Sequence, residues 1–202
     1  MLGTRRDRRR SRLKPDALEQ EFFILWLLKT EGEIGRYRLA KMLGISQGVA
    51  RGVLARMKKR RLILVRRRAG AGCSQKGIHE LATQMRHHSL KLVRRYDREL
   101  LGLGPECVIF QVVGRSHRLG QGVEQRDAAI KAGATGAVTI IFDGKTLKFP
   151  GVAEPVSKRS PITFRQLKAQ LEPTSGDVIL LAFGQTWWEA ARGGFAATKT
   201  LA

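Results

Sequence analysis

The chain has 202 residues, 43% of them hydrophobic. That is enough for one large domain or two small ones with modest cores, and too apolar for a disordered chain. Its formal charge of +21 and pI near 11.3 favour polyanionic partners such as DNA, RNA or an anionic membrane. Two cysteines leave no disulfide framework, and the apolar run FFILWLL at 22–28 is too short to span a bilayer. A cytoplasmic chain without membrane contact is expected.

The charge is unevenly placed. Residues 1–100 hold 26 Lys and Arg against 9 Asp and Glu, whereas 101–202 hold 12 against 8. A split this sharp argues for two parts with different tasks, and it assigns the polyanion to the first. The opening MLGTRRDRRRSRLKP (1–15) reads as a solvated, disordered basic arm. A transit peptide is the other reading, against which stands the lack of an apolar face.

From Pro15-Asp16 a helix is predicted, with Leu18, Phe22, Leu25 and Trp26 at helical spacing, ending near Glu31-Gly32. RYRLAKMLG forms a second short helix that buries Leu39 and Leu43 and stops at Gly44. Ser46 is competent to cap a third helix, so the pair reads as a helix-turn-helix. On the third helix Ala50, Val53, Leu54 and Met57 make the core stripe. Gly48, Gly52, Ala55 and Lys59 lie opposite, flanked by Arg51 and Arg56. A mid-helix glycine costs roughly 1 kcal/mol relative to alanine. Close approach of the helix backbone to another surface is the reason offered here.

LILVRRR then reads as a strand, AGAG at 69–72 as a flexible tip, and Cys73–Gln75 as a short return strand. KGIHELATQMRHH is predicted as a fourth helix. Three helices, a basic hairpin and a helix follow the order of a winged helix-turn-helix domain, here 16–87. The candidate DNA-binding residues are Ser46, Gln47, Arg51, Arg56, Lys58 and Lys59, with Arg66, Arg67 and Arg68 on the wing. The bland reading is that these cations merely solvate a surface. Their coincidence with the two elements that touch DNA in this fold favours the functional one. Gln47, Arg51 and Arg56 are the side chains placed to read bases.

Residues 88–104 read equally as a linker or dimerisation helix and as a strand starting at LKLVRRY, with Gly102, Gly104 and Pro105 marking the boundary. Beyond it, 105–202 gives strands at ECVIFQVVG (106–114), AVTIIF, KTLKFPG and DVILLAFG (177–184). Helices are predicted over about 123–132, at PITFRQLKAQL and at TWWEAARGGFAATKTL, with 151–160 as loop. Asp143-Gly144 supplies a hairpin turn. The fold class expected is therefore α+β, a winged helix-turn-helix domain followed by a small two-layer α/β domain.

The loop before the helix at 123 carries Arg115, Arg118, Gly120 and Gly122, with Arg126 and Asp127 just inside the helix. Backbone N–H groups and the helix dipole suit such a place to a phosphate or carboxylate. The spacing is neither Walker A nor a dinucleotide fingerprint, and glycine loops also serve as plain turns. Asp127 with Lys131 is an ordinary i, i+4 pair. No His or Cys spacing suggests a metal, no cofactor is implied, and no nucleophile with a base is recognisable. Of Trp187 and Trp188, one ring is expected in the core; core packing is favoured for the other over a pocket or a second subunit.

VEQRDAAIKAGATGAVTIIFDGKTLKFPG, followed downstream by SGDVILLAFGQTWWEA, resembles a set of archaeal proteins that share a domain of unknown function. The most specific stretch is Glu124, Arg126, Asp127, Ala129, Ile130 and Lys131. The resemblance implies a winged helix-turn-helix before a small α/β domain, and proteins that look like transcription regulators with a fused sensor domain. It brings no ligand or reaction.

The first expectation is thus a transcriptional regulator, not an enzyme, that binds double-stranded DNA as a homodimer, its second domain sensing a small anionic effector or mediating dimerisation. A non-specific architectural DNA- or RNA-binding protein is the second. An enzyme acting on a nucleotide or phosphorylated metabolite, with an appended winged helix, is the third.

Overall fold

A computed structural model of the chain describes residues 17–67, 69–96, 101 and 103–202. The basic arm, the Pro15-Asp16 helix start, Arg68 and Gly102 lie outside the described residues.

The first element, α1 (Ala17–Thr30), is buried along Gln20–Leu28 on every side. That continuous burial explains why its apolar residues run unbroken from Phe22 to Leu28 instead of forming one stripe. Leu18, expected in the core, is 61% exposed. Next come α2 (Arg36–Met42) and α3 (Gln47–Lys59). Gly44 between them adopts φ +58°, and Ser46 caps α3 by accepting a hydrogen bond from the Val49 N–H at 3.2 Å. Ala50, Val53, Leu54 and Met57 are buried, as the periodicity predicts.

A hairpin follows, β1 (Ile63–Arg66) with β2 (Gly70–Cys73), antiparallel with Arg66 opposite Gly70. The AGAG segment is therefore largely the return strand and not a tip. Ala71 is buried and exchanges two backbone hydrogen bonds with Ile34 (2.8 and 2.9 Å). A Cβ at Gly70 would lie 2.5 Å from the Ile34 carbonyl oxygen, and φ there is +100°. Glycine is required because β2 is pressed against the segment between α1 and α2. Then α4 (Gln75–His87) leads out.

The remaining strands form one five-stranded antiparallel sheet in the order β3-β4-β7-β5-β6. They are β3 (Leu90–Tyr96), β4 (Glu106–Val112), β5 (Gly136–Phe142), β6 (Leu147–Lys148) and β7 (Val178–Gly184). The segment 88–104 thus contributes a strand to the sheet over 90–96, as the LKLVRRY reading has it. Strand β7 lies between β4 and β5, which α5 (Val123–Lys131) connects. The β5–β6 turn is the one expected at Asp143-Gly144. The Asp143 carboxylate accepts the N–H groups of Lys145 and Thr146 and pairs with Lys148 at 2.7 Å, which hold it well below its ordinary pKa.

Both faces of this sheet are covered, so the second half has three layers and not two. Val108, Phe110, Val112, Val178 and Leu180 face α5 and α8 (Trp187–Lys199). Cys107, Ile109, Ile140, Ile179, Leu181 and Phe183 face a second layer containing Val156 and Leu167. Those two belong to short helices α6 (Val156–Arg159) and α7 (Pro161–Lys168), so 151–160 is only partly loop. Strand β7 is buried at all seven positions because it is central and sandwiched. A Cβ at Gly194 would stand 2.0 Å from Phe110 Cε2, so glycine lets α8 lie directly on the sheet.

The first core runs without a break from α1 into α8. Trp187 and Trp188 are both buried there, each edge-on to Phe23, and Trp26 stacks on Trp187 at 5.8 Å.

Candidate nucleic-acid interface

The outer face of α3 is open. Ser46, Gln47, Arg51, Arg56, Lys58 and Lys59 are exposed, as are Arg66 and Arg67 at the end of β1. Among the described residues Arg51, Arg56, Lys58, Lys59 and Arg67 make no ion pair, whereas Arg66 pairs with Glu33 at 2.7 Å. A Cβ built on Gly52 would meet nothing nearer than Arg56 Nη1 at 3.9 Å, and one on Gly48 nothing nearer than Ser46 Oγ at 3.9 Å. No packing among the described residues accounts for these two glycines.

The sequence reading missed how wide the positive surface is. From Ile34 to His79 the chain carries thirteen Lys and Arg and no Asp or Glu. The run takes in Arg36 and Arg38 beside the exposed Tyr37 on α2, with the Arg36 guanidinium 5.0 Å from the Tyr37 ring centroid. A scan for missing acids, more than for clustered bases, reveals it. Arg38 is tied to Glu31 at 2.7 Å. Arg60, which follows α3, turns inward to the buried Glu21 and lies 3.8 Å from Glu80, so it anchors the helix end. Val49, Leu64 and Val65 are also exposed on these elements, a mixture of apolar and cationic surface suited to sugar and phosphate contact.

The second group of candidate residues does not converge. Arg115 donates to Ser89 Oγ at 3.0 and 3.2 Å. Arg118 donates to the Ala202 carbonyl, and Arg126 pairs with its neighbour Asp127 at 3.1 Å. Gly120 is exposed, and Gly122 starts α5 with φ +81° against Thr139. Each arginine in this loop is committed to a different partner. Among the described residues no group of His, Cys, Asp and Glu could hold a metal ion, and no helix is long and apolar enough to cross a membrane.

By its architecture the chain is an α+β protein, a cationic helical part packed against a five-stranded antiparallel sheet. Residues 103–201 match the family described as Domain of unknown function (DUF4443). The structure is similar to that of Hypothetical protein PH0730 from Pyrococcus horikoshii OT3, with a TM-score of 0.74 and 18% identity over 93% of each chain. At that identity the likeness concerns the fold alone. No curated protein matches the sequence.

Proposed function

We propose that the chain binds double-stranded DNA through α3 and the β1–β2 hairpin, as a winged helix-turn-helix transcriptional regulator acting as a homodimer. In this reading α3 enters the major groove, and the hairpin lies along the backbone as the wing. The observation that carries it is the face of α3 itself. It pairs two glycines that no atom of the described residues crowds with exposed cations that no described acid neutralises, inside a stretch of 46 residues whose sequence contains no acid. Small residues let a helix sit deep in a groove, while Gln47, Arg51 and Arg56 reach base edges and Lys58, Lys59 and Arg67 reach phosphates.

The test compares DNA from upstream of the protein's own gene with scrambled DNA of equal length, across a salt series. A preference of about a hundredfold that survives near-physiological salt supports the regulator. Equal binding to both, collapsing together as salt rises, replaces it with the architectural reading. That second reading draws on a specific feature, the scarcity of base-reading side chains on α3 beside many phosphate-reading ones.

A further inference from the structure

Of the Phe, Trp and Tyr side chains among the described residues, Tyr37 alone is exposed, at 67%. Its hydroxyl has no hydrogen-bond partner among the described residues. A ring left in water adds nothing to the core. α2 meets that core through Leu39 and Ala40, so its folding does not require an aromatic at position 37.

The charges around the ring are positive and uncompensated. The Arg36 guanidinium lies 5.0 Å from the ring centroid. Its Nε is buried without an acceptor, and it makes no ion pair among the described residues. The ring therefore holds this cation in place without neutralising it. Lys41, four residues after Tyr37 and so on the same side of the helix, is exposed and unpaired among the described residues. The acids just before α2 are already occupied, Glu31 by Arg38 and Glu33 by Arg66, each at 2.7 Å. The hairpin sets where this group stands. A Cβ at Gly70 would lie 2.7 Å from the Gly35 nitrogen, and Glu33 reaches across to Arg66, so the start of α2 is pressed against the outer end of β1–β2. Tyr37 follows two residues beyond that contact.

We infer that Tyr37 and Arg36 are a third hold on the nucleic acid, beside α3 and the hairpin. The Tyr37 hydroxyl donates to a phosphate oxygen, its ring lies against the adjoining deoxyribose, and the Arg36 guanidinium pairs with a neighbouring phosphate. This rests on the reading that the chain binds duplex DNA, with the hairpin along the backbone. Phosphates are alike whatever the bases, so the contact fixes the position of the duplex and carries no sequence information.

The test measures the affinity of the full chain for DNA from upstream of its own gene and for scrambled DNA, across a salt series. The variants are Tyr37→Ala, Tyr37→Phe, Arg36→Gln and, as the control for α3, Arg51→Ala/Arg56→Ala. Tyr37→Ala is expected to weaken binding to both DNAs alike, by about tenfold, with an unchanged melting temperature. Tyr37→Phe recovers part of the loss, since the ring remains. Arg36→Gln lowers the slope of log affinity against log salt by about one, as the loss of one phosphate contact requires. Wild-type affinity in Tyr37→Ala, or an unchanged salt slope in Arg36→Gln, overturns the proposal; a weakened α3 variant in the same series then leaves α3 as the docking helix. A changed preference between the two DNAs in Tyr37→Ala also overturns it, by making Tyr37 a reader of bases. Wild-type behaviour in all four variants removes the DNA-binding reading and this proposal with it.

Discussion

Phe22 of α1 and Phe195 of α8 stack with ring centroids 4.8 Å apart and planes 28° from parallel. They come from opposite halves of the chain, and around them Phe23, Trp26, Trp187 and Trp188 complete one aromatic seam. All three tryptophans of the protein lie in it. Phe195→Ala is expected to cost about 3–5 kcal/mol, the usual range for deleting a buried ring. Because the seam is shared, urea unfolding followed by tryptophan fluorescence and by far-UV circular dichroism gives coincident transitions in wild type and variant alike. Two separated transitions would mean that the halves are independent.

Gly52 separates the demands of stability from those of binding. Its added Cβ has open space, so Gly52→Ala raises stability by about 0.5–1 kcal/mol through helix propensity. Gly52→Leu keeps the fold and weakens duplex DNA binding at least about tenfold, because the branched side chain holds the helix off the groove. Melting temperatures and DNA affinities of the two variants, measured side by side, check this. Unchanged DNA affinity in Gly52→Leu removes α3 as the docking helix.

Arg60 is a structural cation within a surface of binding ones. Its partner Glu21 is 4% exposed, and an unpaired buried carboxylate is costly. Arg60→Ala is expected to destabilise by about 1–3 kcal/mol. Adding Glu21→Gln recovers part of the loss, since a neutral amide tolerates burial better than a charge. Denaturant midpoints of the single and double variants give the answer, and an Arg60→Ala variant as stable as wild type refutes the anchor.

Glu19 behaves in the opposite sense. Burial raises its pKa above the ordinary carboxylate value, and Lys199 and Arg192 offset that only in part. A carboxyl raised in this way binds more protons folded than unfolded, so stability falls as pH rises from about 4 through the raised value. Glu19→Gln mimics the protonated form. The variant should equal or exceed wild type in stability at pH 7, with the difference closing near pH 4 and below. A variant less stable than wild type at pH 7 would mean that the contacts to Arg192 (3.4 Å) and Lys199 (3.6 Å) outweigh the burial.

Much of the helical part is legible in local pattern. The spacing of Ala50, Val53, Leu54 and Met57 and the Ser46 cap depend on neighbours within a turn or two. What depends on distant chain is not legible there. The AGAG strand reads as a flexible tip because the backbone of Ile34, which makes Gly70 obligatory, is 36 residues away. Buried Gln20 and Glu21 break the helical period of α1, because their surroundings come from other elements. VILLAFG announces two-sided burial, yet its central position and the third layer are tertiary facts. Likewise Arg115, Arg118 and Arg126 look like one cluster in the sequence, and only their separate partners show otherwise.

The order of strands imposes an order of events on the growing chain. Strand β7 is the middle of the sheet and the last strand to be made, and α8 follows it. As the chain leaves the ribosome, β4 and β5 cannot complete their pairing, for β7, which lies between them in the sheet, has not been synthesised. The edge of β5 must therefore wait through some forty residues of translation (Phe142 to Gly184) and that of β4 through some seventy (Val112 to Gly184), and the aromatic face of α1 waits longer still. Contacts this remote in sequence are slow to form and exposed to aggregation meanwhile. A polypeptide released before Gly184 is accordingly not a smaller version of the protein but an unfinished one, lacking the strand that would close its sheet.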